Sequence, residues 1–215
     1  MPVITKLKTQ TNQNRVNVFL DHKFAFGLTL NEVVKRGFKV GQQLSSTEFE
    51  EVLFTTKLEK AYRKSVNFLS YRPRSLKEVD NYLNKIFFKQ GLDSDLAEKI
   101  KTRVLAKLEQ QQLINDQQFA CWWLDQRLSF KPKGKKLISL ELRQKGVDQE
   151  IIDQVLAEVD EKKMAVLAKK IIVKKLNLLK NISGLKLKQK LCSYLLRRGF
   201  DYRMSKNLID ELVKK

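Results

Sequence analysis

Lys170 and Lys174 follow Lys163 by seven and eleven residues, a spacing that sets all three on one face of a helix. Lys169 and Lys175 flank that face, "LKLKQKL" adds Lys186, Lys188 and Lys190, and Arg197 with Arg198 closes the segment. Upstream, "FKPKGKK" gathers Lys131, Lys133, Lys135 and Lys136 in what reads as a loop, and Arg72 and Arg74 bracket Pro73. Lines of mobile or forked cations are what phosphate contact requires. No single helix carries an ordered set of Asn, Gln and Arg of the kind that reads base edges, so sequence-specific recognition of DNA is weakly supported.

Other chemistry finds little to work with. The one histidine, His22, sits in a "DHK" turn, and Cys121 and Cys192 are far apart and form no ligand-spaced cluster. No metal site, EF-hand or glycine-rich phosphate loop is expected, and no cofactor. The neighbouring carboxylates Glu78 with Asp80, and Glu50 with Glu51, fall in amphipathic segments and read as solvated faces. Binding is therefore expected rather than catalysis. The chain has 43 Lys and Arg against 24 Asp and Glu, a net charge of +19, which calls for nucleic acid or an acidic protein surface. Residues 1–58, 59–115, 116–160 and 161–215 carry +3, +5, −1 and +12, so most of the excess sits in the last quarter. A uniform solubilising coat would not be distributed so.

The elements that hold these cations repeat. Gly91, Gly146 and Gly199 are each followed by an apolar residue (Leu92, Val147, Phe200) and then Asp (Asp93, Asp148, Asp201). Five, nine and thirteen residues past each glycine stand Leu96, Ile100, Val104; Ile151, Val155, Val159; and Met204, Leu208, Leu212. That is one stripe of a short amphipathic helix. Eight and four residues before each glycine come Leu83 and Phe87, Ile138 and Leu142, Leu191 and Leu195. Each corner reads as a helix ended by a glycine at positive φ, then a helix capped by Asp. The glycines lie 55 and 53 residues apart, the signature of an array of small helical units. "LEKAYRKSVNFLSY", "DQQFACWWLDQRLSF" and the run from Met164 to Leu179 supply a further helix ahead of each corner.

The expected architecture is mainly α: three-helix repeats over 59–115, 116–160 and 161–215, stacked into an elongated curve. Residues 1–58 read as a separate accessory module. There "VITKLKTQ", "RVNVFL" and "FAFGLT" alternate apolar and polar residues between turns at "TNQN" and "DHK", which predicts a small antiparallel sheet. Its apolar face would carry Val16, Val18, Phe24 and Phe26, packed on helices near Asn31–Arg36 and from Ser46. No apolar run reaches membrane-spanning length and no signal-peptide pattern opens the chain. Two separated thiols suit a reducing cytosol, so a cytoplasmic protein is expected.

Three stretches in order resemble the RecX family of recombination regulators: "SYRPRSLKEVDNYL", "LINDQQFACWWLDQRL" and "ELRQKGVDQEIIDQVL". Arg72, Arg74, Ser75 and Glu78 match an Arg-x-Arg-Ser-x-x-Glu corner, and Asp116, Phe119, Ala120 and Arg127 match an Asp-x-x-Phe-Ala…Arg helix. Glu141, Leu142, Lys145 and Gly146 match a Glu-Leu…Lys-Gly ending. Gly134 is followed by Lys135 where proline is common in the family, and the third repeat matches mostly by hydrophobic pattern. The chain is expected to be a monomer. The resemblance implies binding to the RecA filament on single-stranded DNA and inhibition of its ATPase, strand exchange and coprotease activities. It also makes Arg127 a candidate contact beside the cations above, reaching RecA or DNA phosphates, single- or double-stranded. Arg72 and Arg74 have a second reading as helix-end cations, with Ser75 as a cap. A basic nucleic-acid-binding protein acting alone, and a helical scaffold for an acidic protein, are the rival readings.

Overall fold

The alternating N-terminal segments pair as their pattern requires. In the computed structural model, which describes residues 1–10, 14–179 and 184–213, β1 (Ile4–Thr9), β2 (Arg15–Leu20) and β3 (Lys23–Thr29) form an antiparallel sheet in the order β1-β2-β3. The "TNQN" turn falls largely on residues 11–13, outside the described residues. The "DHK" turn is a two-residue hairpin with Asp21 and His22 both at positive φ (47° and 65°), the handedness that matches strand twist. Ile4, Val16, Val18, Leu20, Phe26 and Leu28 form the buried face. Phe24, expected among them, is 60% exposed: a register shift after Val18 pairs Phe24 with Phe19 near the hairpin end, past the core.

Two helices cover this face. α1 (Leu30–Arg36) starts at a reciprocal capping box between Thr29 and Glu32. α2 begins at Ser46, where Ser45 and Glu48 make the same exchange. The sequence pattern predicts two separate helices over residues 46–70. The structure has one, α2 (Ser46–Ser70), with no glycine or proline to stop it, so the boundary placed at residue 58 lies inside a helix. The chain then continues as α3 (Leu76–Lys89), α4 (Ser94–Gln110), α5 (Asp116–Ser129), α6 (Lys135–Gln144), α7 (Gln149–Ala157), α8 (Glu161–Leu176), α9 (Gly184–Arg197) and α10 (Tyr202–Leu212). "FKPKGKK" is a loop only in part, since Lys135 and Lys136 open α6.

These elements form two compact units. Unit 1 comprises Met1–Phe68 and Tyr82–Gln110; unit 2 comprises Leu69–Asn81 and Gln111–Lys215. In unit 1, α2 and α4 are tied by cations over rings, Arg103 on Phe54 and Lys107 on Tyr62, while Phe68 stacks on Tyr82 at 4.0 Å. Unit 2 is built on one apolar core running from Phe119 through Ile138, Leu142, Ile152, Ile172, Leu191 and Leu195 to Ile209. Ahead of each glycine the stripe is buried where the period places it, at Leu83, Ile138 and Leu191 and at Phe87, Leu142 and Leu195. Past the glycines the first position of each stripe (Leu96, Ile151, Met204) and Leu212 are only half-buried.

The corners have the expected geometry, with φ of 57°, 82° and 81° at Gly91, Gly146 and Gly199. Asp93 and Asp201 cap the following helices, but Asp148, at the N-cap of α7, accepts no capping hydrogen bond. Two of the corners also serve as docking points. Ser75 Oγ donates to the Lys145 carbonyl (2.7 Å), and the Gly134 N–H donates to the Arg198 carbonyl (2.8 Å). In both cases the residue opening one repeat's second helix binds the carbonyl just ahead of the next repeat's glycine. At the second junction the backbones nearly touch. A Cβ on Gly134 would lie 2.0 Å from the Gly199 oxygen, and one on Gly199 2.4 Å from the Leu137 nitrogen.

The glycines therefore predict a graded series. Gly91 meets open space, so Gly91→Ala should cost only the backbone strain of a left-handed residue, about 1 kcal/mol. Gly134→Ala and Gly199→Ala add a collision with backbone that cannot swing aside, and should each cost more than about 3 kcal/mol. Denaturant midpoints of the three variants measure this; equal losses would show that the junction tolerates separation.

Candidate functional site

Four of the twelve candidate cations belong to the framework. Arg72 meets the Glu78 carboxylate with both terminal nitrogens (2.9 and 3.0 Å), and Lys145 reaches the same carboxylate at 2.6 Å. In the next repeat, Glu141 receives Arg127 Nε at 2.7 Å, the Trp123 indole N–H at 3.0 Å, and Lys133. The Arg127 guanidinium and the Lys145 ammonium both lie against the Trp123 ring, at 4.0 and 4.4 Å. Lys135 donates to the Val159 carbonyl at 2.8 Å, a helix-end contact. Arg74 is half-buried; burial first, then the nearby Arg72 charge, lowers the pKa of its guanidinium. Glu78, expected on a solvated face, instead has only 19% of its side chain exposed. Its partner Lys145 comes from 67 residues away, and no local pattern announces it.

Four of the other eight, Lys131, Lys170, Lys174 and Arg198, come together elsewhere. A groove of about 990 Å³ in unit 2 runs between the α5–α6 loop and the outer faces of α8 and α9. Lys131, Lys133, Lys169, Lys170, Lys174 and Arg198 line it, and no carboxylate does. Lys133 is committed to Glu141, and Lys169 approaches Glu211 at 3.6 Å. Lys131, Lys170, Lys174 and Arg198 have no carboxylate partner among the described residues. Arg198 lies over the Tyr194 ring at 4.9 Å, with Lys175 on the same ring at 5.3 Å. Lys163 and Arg197 are exposed but do not line the groove, and Lys136 pairs loosely with Asp201 at 3.7 Å.

Two residues that the cation pattern passes over become visible once the repeats are aligned on their second helices. "YRPRS" (71–75) and "FKPKG" (130–134) occupy the same place: an aromatic residue, then cation, proline, cation and a small residue. Tyr71 and Phe130 are correspondingly 77% and 75% exposed. The electrostatics of the two corners differ because of a third position. Three residues past the small one stands Glu78 in the first repeat and Leu137 in the second. Glu78 captures Arg72 and Lys145; the equivalent Lys131 and Arg198 have no carboxylate partner among the described residues. The Glu78/Leu137 difference leaves the second corner's cations without the carboxylate that pairs those of the first, and Lys170 and Lys174 of α8 add to them.

Among the described residues no three or more His, Cys, Asp or Glu side chains are grouped so as to hold a metal ion, and no described helix is long and apolar enough to cross a membrane. What the arrangement offers is a surface for anions.

Burial raises the Glu78 pKa, but hydrogen bonds from Arg72 and Lys145, and then their charges, outweigh it and bring it down to about 2. A lowered carboxyl contributes stability that is complete above its unfolded value near 4.5 and is lost as pH falls toward 2. Glu78→Gln should destabilise the protein by about 2 kcal/mol at pH 7, and the gap between variant and parent should close between pH 4.5 and 2. Urea unfolding across that range decides it. A gap that persists at pH 2 would assign the loss to packing.

The sequence comparisons agree with this architecture. Three family models match: "Regulatory protein RecX N-terminal domain" over residues 2–45, "RecX, second three-helix domain" over 115–156, and "RecX, third three-helix domain" over 165–208. The third repeat, matched from sequence mostly by hydrophobic pattern, is thus covered. Regulatory protein RecX of Bacillus licheniformis is 32% identical over 203 residues, covering 94% of this chain and 74% of its own length. That of Bacillus subtilis is 31% identical over 213 residues, covering 99% and 78%. Among solved structures, a crystal structure of regulatory protein RecX has a TM-score of 0.73 at 27% identity, covering 100% of this chain and 99% of the other. RecX from Lactobacillus salivarius has a TM-score of 0.61 at 28% identity, covering 72% and 96%. The repeats, the N-terminal sheet and the matched domains together show that this chain belongs to the RecX family of regulatory proteins.

Proposed function

We propose that the chain is a cytoplasmic monomer that inhibits the RecA recombinase by binding its filament on single-stranded DNA, limiting ATP turnover, strand exchange and coprotease activity. The observation that carries this reading is the unit 2 groove, in which four cations lack a carboxylate partner among the described residues and no acidic side chain lines the walls. A nucleoprotein filament is a polyanion with a repeating surface. A face with unneutralised cations would be drawn to it at rates and affinities that fall steeply with salt. The structural ion pairs at Glu78 and Glu141 fit the same reading. They hold the repeats rigid, so that ordering the binding face costs little on association.

The test is RecA's DNA-dependent ATPase on single-stranded DNA with increasing amounts of the purified chain. Suppression of turnover and of strand exchange is expected; unchanged rates at saturating protein would defeat the reading and leave a nucleic-acid-binding protein acting alone. Within this reading, the combined Lys163→Glu, Lys170→Glu and Lys174→Glu variant should melt within about 1 kcal/mol of the parent, since all three side chains are exposed. Its binding to filaments should be weaker and less dependent on salt. Undiminished, equally salt-sensitive binding would remove α8 from the interface.

A further inference from the structure

Phe130 is the wrong residue for a purely electrostatic site. A phenylalanine at the C-cap of α5, 75% exposed, stands in a groove whose charged lining is wholly cationic and whose other walls include Leu167, Val173 and Tyr194. An isolated exposed aromatic needs no explanation, but here its neighbours supply one. Lys131 follows it directly, and Lys170, Lys174 and Arg198 face the same space. Alternation of an aromatic face with unneutralised cations is the chemistry that holds a single nucleic-acid strand: phosphates on the cations, an unstacked base on the ring. Duplex DNA offers the phosphates but keeps its bases stacked, so a ring at this position separates the two.

We infer that Phe130 is a base-stacking contact that makes the unit 2 groove prefer single-stranded to double-stranded nucleic acid. This rests on the filament reading above, and deepens it by assigning the groove to the DNA strand rather than to an acidic face of the protein partner. The molecule contains its own control. Tyr71 holds the same place in the preceding repeat and is as exposed, yet the cations of its corner are turned inward: Arg72 and Lys145 are spent on Glu78. An aromatic ring without free cations beside it should contribute little.

The experiment is anisotropy titration of the full chain with a fluorescein-labelled oligothymidine and with a mixed-sequence duplex of equal length. Phe130→Ala should weaken binding of the single strand by at least about fivefold, with little effect on the duplex. Phe130→Tyr should restore it, and Tyr71→Ala should match the parent. Lys170→Gln with Lys174→Gln should weaken both ligands and flatten the salt dependence, by about 0.7 in log–log slope per lysine for the single strand. Equal losses on strand and duplex in Phe130→Ala, or none on either, would overturn the stacking role. So would equal effects of Tyr71→Ala and Phe130→Ala, since the neighbouring cations would then be irrelevant. Binding to RecA filaments without measurable binding to oligothymidine would assign the groove to a protein surface, overturning this inference while sparing the proposed function. The reverse outcome would do the opposite.

Discussion

A helix that ends at a glycine leaves its last carbonyls without intrahelical partners, and unit 2 is organised around where two of them go. The Lys145 carbonyl is taken by the Ser75 hydroxyl, and the Arg198 carbonyl by the Gly134 N–H. Burying those groups unpaired would cost about 1–3 kcal/mol each, which favours a junction that closes well. At the second junction closure brings two backbones into near-contact, so that a methyl group on Gly134 would strike Gly199 and one on Gly199 would strike Leu137. It also fixes the side chains preceding the glycines. Lys145 and Arg198 are delivered to equivalent places beside the preceding repeat's corner, and what each does there depends on the residue it meets.

That dependence separates framework from site. Against Glu78 the delivered cation completes a network that also holds Arg72, and Trp123 packs beneath it. Against Leu137 the delivered cation, half-buried over Tyr194, meets no carboxylate among the described residues, and neither does Lys131. The same backbone device therefore yields a rigid joint at one corner and a charged opening at the next. A cation's position in the chain says little about its role; its nearest carboxylate decides it.

The parts of this that are legible in the sequence are those that repeat. Gly91, Gly146 and Gly199, the Asp two residues on and the apolar stripes around them recur at a fixed period, and the fold follows from them. Capping at Asp148 does not follow: the residue type favours a cap, but the local geometry leaves it unused. Phe24 fails for a related reason, since strand alternation is readable and a register shift is not. The continuity of α2 through residue 58 reflects the absence of a breaker, a weaker signal than the change in composition that suggested a boundary. Glu78 was out of reach because its partner lies far along the chain. Phe130 was within reach, by aligning the second helices as well as the glycines and setting "FKPKG" beneath "YRPRS".

The bond between Ser75 and Lys145 also bears on the order in which the molecule can be made. Every segment of unit 1 has been synthesised once Gln110 has joined the chain, but Leu69–Asn81 belongs to unit 2 and has its anchor at Lys145. At translation rates of roughly 5–20 residues per second, that anchor follows Gln110 by about 2–7 s. Asp116, which accepts from the Leu76 N–H, arrives early, but for that interval the Ser75 hydroxyl lacks its acceptor and Glu78 its second cation. A corner held by a bidentate ion pair and two long-range hydrogen bonds in the finished protein is thus completed on the ribosome only after the rest of unit 1 has been made.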